Sequence, residues 1–336
     1  MKRSRQFHVA GAAAFQRLDE FLAARLGWLS RMHIANLLAE GACAVDGARA
    51  HAGHYVRAGN VVEIILDEAA TTAMLPERMS LEIIYEDEDL LVVVKPAGML
   101  VHPTRGVKSG TLANALAYHL NKSQIEASAS DDSTANPKFE ISELKSESSD
   151  LRFEISDSKS VVRPGLAHRL DRATSGLMVV AKNQRALSIL SRHFRHRLVE
   201  KRYLALVHGR VVVDECVINA PIGRDALQLP QWRVMTGGKA AETRLSVLES
   251  RERLTLVELE PVTGRTNQLR IHSAHIGHPI IGDSWYGNAD EGARLCLHAA
   301  RLGFKHPVAG KWVHFQTPLP ADLSAYAGKL HLPVSL

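Results

Sequence analysis

Between Pro164-Gly165 and Ser175-Gly176 lies the run His168-Arg169-Leu170-Asp171-Arg172-Ala173-Thr174, in which one carboxylate stands between two guanidinium groups. Two flanking cations favour the ionised carboxylate and also attract phosphate, so an anionic nucleophile would meet a polyanion here. On composition alone, however, Arg-Leu-Asp-Arg is more often a loop ion pair than a catalytic site. A second candidate set is His272, His275 and His278. On an ideal helix they spread over about 120°. Gly277 and Pro279 end that helix before His278, and no cysteine or paired carboxylate joins the three, so no metal site is assigned. A third is the stretch 182–202, with seven basic residues (Lys182, Arg185, Arg192, Arg195, Arg197, Lys201, Arg202) against Glu200 alone. Leu187, Leu190, Phe194 and Leu198 give it an apolar helical face. Next to Asp171 such a stretch is expected to meet phosphate, through Arg185, Arg192, Lys201 and Arg202.

These residues need elements to hold them. Leu177 to Lys182 reads as a strand directly after the Asp171 loop, and Gln184 to Arg197 as a helix after that strand. Leu81 to Tyr85, Leu90 to Lys95, Arg202 to Val207, Arg244 to Leu248 and Leu254 to Glu260 are further strands. Helices are expected at Leu112 to His119 and Asn267 to Ile276. Strands at hairpin spacing with few helices predict an α+β fold with a mainly antiparallel sheet. Residues 15–65 read as a separate unit. Phe15, Leu18, Leu22 and Leu26 recur at helical spacing; Ser30 caps a second helix with Ile34, Leu37 and Leu38, which stops at Gly41. Ala44-Val45-Asp46-Gly47 makes a strand and turn, and Val61 to Ile65 a second strand. The expected organisation is a small unit at 1–66, a linker at 67–80 and a β-rich domain at 81–325.

The 336 residues carry 41 lysines and arginines against 36 acidic groups, a net charge of +5. Residues 121–160 contain 11 serines and a net −4; set apart from +5, that leaves +9 on the rest. Such a polar, charged stretch cannot offset its ordering entropy and is expected to be a disordered insertion. A basic remainder asks for an anionic partner. The longest apolar runs, such as Leu90 to Val94, fall far short of the ~20 residues of a membrane span. Met1 to Ala14 has no apolar core of a leader. Cys43, Cys216 and Cys296 are too dispersed for a disulfide framework or a metal site, so a reduced, cytoplasmic setting is expected.

The string His168 to Gly176 resembles the signature of the RluA-type RNA pseudouridine synthases. Further motifs similar to that family follow the right order: Lys95-Pro96-Ala97-Gly98 with Val101-His102-Pro103, Arg163-Pro164-Gly165, Lys201 to Gly209, Thr263 to His272, Gly277 to Asp283 with Tyr286-Gly287, and Leu297-His298-Ala299. The likeness runs from about Leu81 to Leu319, apart from the serine-rich insertion. The N-terminal unit is similar to the alpha-L (S4-like) RNA-binding domain, through Arg17-Leu18-Asp19, Ser30-Arg31, Leu37-Leu38, Gly41, Val45-Asp46-Gly47 and Val56 to Asn60. Arg17 and Arg31 are its candidate RNA contacts.

The resemblance implies isomerisation of uridine to pseudouridine in RNA, ribosomal in the first instance, without metal or cofactor. The chain would act as a monomer without an obligate protein partner. The target base must leave its stack to be reached. The likeness places the nucleophilic carboxylate on Asp171, the active-site tyrosine on Tyr203, and an arginine that pairs with the aspartate on Arg270. It makes Arg169 the residue that fills the place of the flipped base, and Leu297 an apolar residue under that base. His168, Arg172 and Lys95 are expected to bind substrate. One position departs from the family: Asn267 stands where histidine is usual, and an amide cannot titrate near neutral pH. Transfer RNA as substrate and a non-catalytic RNA-binding or ribosome-assembly protein are the alternatives. A hydrolytic glycosylase would need a second carboxylate, and no second acid appears in the matching motifs in a comparable position.

Overall fold

The computed structural model describes residues 2–11, 15–26, 29, 31–67, 75–104, 106–130, 163–225, 232–287 and 293–329. They fall into two units: residues 1–78 with 102–109 and 113–163, and residues 79–101 with 110–112 and 164–336.

The chain opens with β1 (Lys2–His8), α1 (Leu18–Arg25), α2 (Arg31–Ala39), β2 (Cys43–Val45), β3 (Ala48–Arg49) and β4 (Val61–Asp67). These strands form a sheet of order β1-β4-β2-β3. Strand β1 was not expected from the sequence; it pairs antiparallel with β4 along its whole length. Asp46 and Gly47 both take positive φ, the conformation that a tight β2–β3 hairpin demands. Helix α1 turns Leu18, Phe21 and Leu22 inward. Phe15, expected on that face, lies outside the helix at positive φ and is exposed, so Phe21 takes the core place instead. Ser30 lies outside the described residues.

Next come β5 (Glu82–Glu86), β6 (Leu90–Lys95), α3 (Leu112–Ser130), β7 (Gly165–Leu166), β8 (Ser175–Ala181), α4 (Gln184–Arg195), β9 (Val199–His208) and β10 (Glu215–Asn219). They are followed by β11 (Ile222–Arg224), β12 (Trp232–Val234), β13 (Glu242–Arg251), β14 (Leu254–Pro261), α5 (Gln268–His275), β15 (Leu297–Lys305), β16 (Trp312–Gln316) and α6 (Ala321–Lys329). One sheet of order β10-β13-β14-β9-β15-β8-β6-β5 dominates, with β16 added to β15 and β7 to β8. All its pairings are antiparallel except β15 with β8, so the expected α+β class and mainly antiparallel sheet hold. Helix α3 runs past the expected His119 to Ser130, into the segment read as disordered. Alanine, lysine and glutamate there are good helix formers, and Lys122 faces Glu126 one turn on. The remainder of the insertion, 131–160, lies outside the described residues.

The alternation of strand β15 is broken by a bulge between Ala299 and Arg301, yet the strand sits at the centre of the sheet and joins β9 to β8. At its parallel seam, His298 registers with Ser175 and Ala299 with Gly176. Gly176 has φ +120°, and a Cβ there would collide with the backbone of Ala299. The signature therefore ends in glycine because two backbones meet at that point. Gly176→Ala is expected to cost about 1–3 kcal/mol through backbone strain alone, read as a lower midpoint in urea unfolding. An unchanged midpoint would show that the seam can open without cost.

Candidate active site

Asp171 lies in the loop that feeds β8, with its carbonyl accepting from the Thr174 amide. A second loop, Lys95–Met99, holds that one in place. Lys95 is fully buried, and its Nζ donates to the carbonyls of Pro96, Met99 and Arg172 at 2.7, 3.0 and 3.2 Å. Arg172 answers with Nε to the Gly98 carbonyl at 2.9 Å, while the Gly98 amide donates to the Arg172 carbonyl. Lys95 thus has no surface for substrate. Both residues fasten two loops together; Lys95 is buried in that role, which corrects its assignment as a substrate contact, while Arg172 keeps an exposed side chain.

His168 is corrected in the same way. Its ring stacks on Phe194 of α4 at 4.3 Å, and Nε2 accepts from the Val179 amide. Burial, followed by the charge of Lys201, pushes its pKa down to about 3. This neutral ring docks the signature loop on α4. That helix begins at Asn183, whose side chain caps the Ala186 amide, and it buries Ala186 and Leu190. Its outer side carries exposed Arg185, Arg192 and Arg195. Leu198, expected on the apolar face, is exposed beyond the helix end.

Strand alternation sorts the remaining candidates by face. Tyr203 and Ala205 share one side of β9 with their register partners Leu259, Val257, Ala299 and Leu297. Leu297 is buried there within the core. Arg202 points to the opposite side, where it pairs with Glu260 at 2.8 Å and reaches Glu258 at 3.7 Å. It is therefore removed from the RNA-contact set beside Asp171. Lys201 is half-buried, and burial, then Arg197, lowers its ammonium pKa. Arg169 and Arg172 are exposed. In the N-terminal unit, Arg17 is exposed but spent on Asp19, in a two-pronged pair at 2.9 and 3.0 Å. The side chain of Arg31 lies outside the described residues.

Arg270 is buried, and its hydrogen-bonded partner is Asp283, while it acts on Asp171 through space. Nε donates to Oδ2 at 2.7 Å and Nη2 to Oδ1 at 2.6 Å, with Asp283 fully buried. Asp283 Oδ1 also accepts the Trp285 and Tyr286 amides. The Gly-Asp pair closing the Gly277–Asp283 motif was the available signal for this residue. Asp283 is a second carboxylate near Asp171, but its oxygens are engaged with Arg270 and two amides.

Asn267 joins the same cluster. It has φ +54° at the start of α5 and donates from Nδ2 to the Tyr286 hydroxyl at 3.1 Å. Asparagine tolerates this left-handed conformation better than most residues. Gln268 beside it spans Thr263, Arg265, Glu242 and Thr243 and fixes the start of the helix. His272 has Nδ1 on Thr243 and Nε2 on the Ala220 carbonyl, while His278 Nδ1 sits on the His208 carbonyl, so the spaced histidines go to separate partners.

Asp171 is half-buried, and its pKa lies above the usual carboxylate value. Burial is the largest cause; Arg270, Arg169 and Lys95 oppose it, and Asp283 adds to it. The flanking cations thus moderate the rise without reversing it, contrary to the sequence reading. Tyr203 is raised by burial first and by the Asp171 charge second, so its phenol stays protonated. A carboxylate costly to leave charged in its pocket, beside a neutral phenol and three cations, is the candidate nucleophile of this site.

The site is a half-buried carboxylate in the loop that feeds β8, with the exposed arginines Arg169 and Arg172 on either side of it along the chain. A solved structure named Human RNA Pseudouridylate Synthase Domain Containing 1 superposes with TM-score 0.53 at 26% identity, over 78% of this chain and 100% of that one. The family described as RNA pseudouridylate synthase matches residues 89–275. An uncharacterized RNA pseudouridine synthase of Bacillus subtilis, YlyB, is 36% identical over 92% of both chains. The ribosomal large subunit pseudouridine synthase D of Pseudomonas aeruginosa is 34% identical over 91% of this chain and 89% of its own. The chain belongs to the RNA pseudouridylate synthase family and is an RNA uridine isomerase. No described helix is long and apolar enough to cross a membrane.

Proposed function

We propose that this enzyme converts uridine to pseudouridine in large-subunit ribosomal RNA, with Asp171 as the nucleophile. The observation that carries the residue assignment is the state of the two carboxylates: Asp171 has its charge opposed by burial, while Asp283 is bonded on both oxygens. Of these two acids it is Asp171 that is left to react, which suits isomerisation and disfavours a glycosylase working with both. Asp171 assists cleavage of the glycosidic bond, the freed uracil turns within the pocket, and its C5 rejoins C1′ of the ribose. C5 then loses its proton to water and N1 takes one up, so that the base keeps its composition. Tyr203 lies along the base as a neutral phenol that stacks on it and can donate a hydrogen bond. Arg270, held by Asp283, stabilises the Asp171 carboxylate through space, and Arg169 occupies the site vacated in the RNA stack.

Residues 1–66 serve as an S4-like RNA-binding unit and 81–325 as the catalytic domain, the α1-α2-β2-β3-β4 order supporting the first assignment. The enzyme works in the cytoplasm, as a monomer. Ribosomal RNA is favoured by relatives from Pseudomonas aeruginosa and Nitrosomonas europaea, both named for the ribosomal large subunit. Pseudouridine mapping of total RNA from cells with and without the gene is expected to show sites lost from large-subunit ribosomal RNA. Loss confined to transfer RNA overturns the substrate assignment, and free uracil released in vitro overturns the reaction.

A further inference from the structure

Trp285 is used by none of the steps above, yet its place is unusual. It is 54% exposed, a large cost for an indole, and it follows Asp283 in the turn that fixes Arg270. The Arg270 guanidinium lies over the Trp285 ring at 5.3 Å and over the Tyr286 ring at 5.1 Å. Arg270 does not need this indole for its position, since Asp283 holds it at both ends. The backbone amide of Trp285 supports the turn by donating to Asp283. What the side chain adds is an aromatic surface, partly backed by a cation and partly open to water, one residue away from Asp171 through Arg270.

We infer that Trp285 is a stacking platform for an unpaired nucleobase of the RNA next to the uridine being isomerised. Flipping one base leaves its neighbours without a stacking partner on one side, and an aromatic ring at the mouth of the site replaces that partner. The guanidinium on one face draws electron density from the indole and suits the other face to a base that carries flanking phosphates. Every base has a π-face, so the contact contributes affinity without reading sequence. This inference rests on the Asp171 site being the RNA-modifying site.

Steady-state kinetics on unmodified large-subunit ribosomal RNA transcribed in vitro test it. Trp285→Ala is expected to raise KM about 5- to 150-fold, the range of one lost base stack, with kcat changed by less than about threefold. Trp285→Phe, which keeps a ring, is expected to restore KM to within about threefold of wild type. A single-stranded uridine decamer should quench wild-type tryptophan fluorescence, and the quenching should shrink in Trp285→Phe, which stays interpretable even if the alanine variant fails to fold. An unchanged KM in Trp285→Ala, or equal quenching in wild type and Trp285→Phe, overturns the proposal. So does a loss confined to kcat, which would mean that Trp285 acts on Arg270 instead of RNA. Wild-type enzyme that forms no pseudouridine at all would refute the reading of the site itself, a separate result.

Discussion

Asp171→Ala abolishes pseudouridine formation, a loss on the order of 10⁴-fold or more, while affinity for RNA stays within about threefold. The carboxylate is the one group placed to attack, whereas affinity comes from exposed arginines such as Arg169, Arg185 and Arg192. Asp171→Asn, equal in shape, is expected to fail as completely, because an amide is not a nucleophile. Wild-type activity should also fall as pH drops. The pKa of Asp171 is raised, so the reactive anion is lost at a higher pH than for an ordinary carboxyl group. The stability consequence has the opposite sign. With the folded pKa above the unfolded one, the ionised group opposes folding; that penalty is fully present above the folded pKa and vanishes below the unfolded one. Asp171→Asn is therefore expected to melt at a higher temperature than wild type at neutral pH. Pseudouridine in the product of either variant would sink the assignment. A lower melting temperature for the asparagine variant would show that Arg270, Arg169 and Lys95 outweigh burial.

Asp283→Ala carries the second large effect. It leaves the Arg270 guanidinium buried and unanswered, and removing one member of a buried ion pair costs about 3–5 kcal/mol. For a unit of this size that is a fall of about 10 °C in the melting temperature. Activity should fall with it, since a released Arg270 can swing onto Asp171 and neutralise the nucleophile. The Trp285 and Tyr286 amides also lose their acceptor. The paired replacement Arg270→Met with Asp283→Leu removes both charges and should recover most of the stability but not the activity. Calorimetry and turnover of the single and double variants separate the two roles. Wild-type melting in Asp283→Ala would mean that the bidentate pair does not hold the site, and full activity in the double variant would remove Arg270 from the electrostatics of Asp171.

Much of this protein was legible before its structure. The signature around Asp171, the strands at 90–95, 177–181 and 254–260, and the α+β class follow from local pattern, because a strand's alternation and a loop's glycines are written in adjacent residues. Strand β15 was missed because its apolar positions change phase at the bulge between Ala299 and Arg301, from Leu297 and Ala299 to Ala300, Leu302 and Phe304, which breaks the period-two signal. The corrections share one physical reason. A motif records which residue types stand together along the chain, but a partner far along the chain is chosen by which face a side chain takes after folding. Arg270 and Asp283 belong to separate motifs and meet only once α5 has packed. Lys95 and His168 carry polar groups that read as substrate contacts, yet folding spends them on loop carbonyls and on Phe194. Arg202 adjoins Tyr203 in sequence and is sent by alternation to the far side of the sheet.

The amino-acid sequence by itself thus determined the family, the nucleophile candidate and the basic character of the chain. Tertiary structure alone decided which charges remain for chemistry and which are consumed in holding it in place. The physical reason is desolvation: burial sets what a charged group costs and whom it must pair with, and burial exists only once the chain has folded.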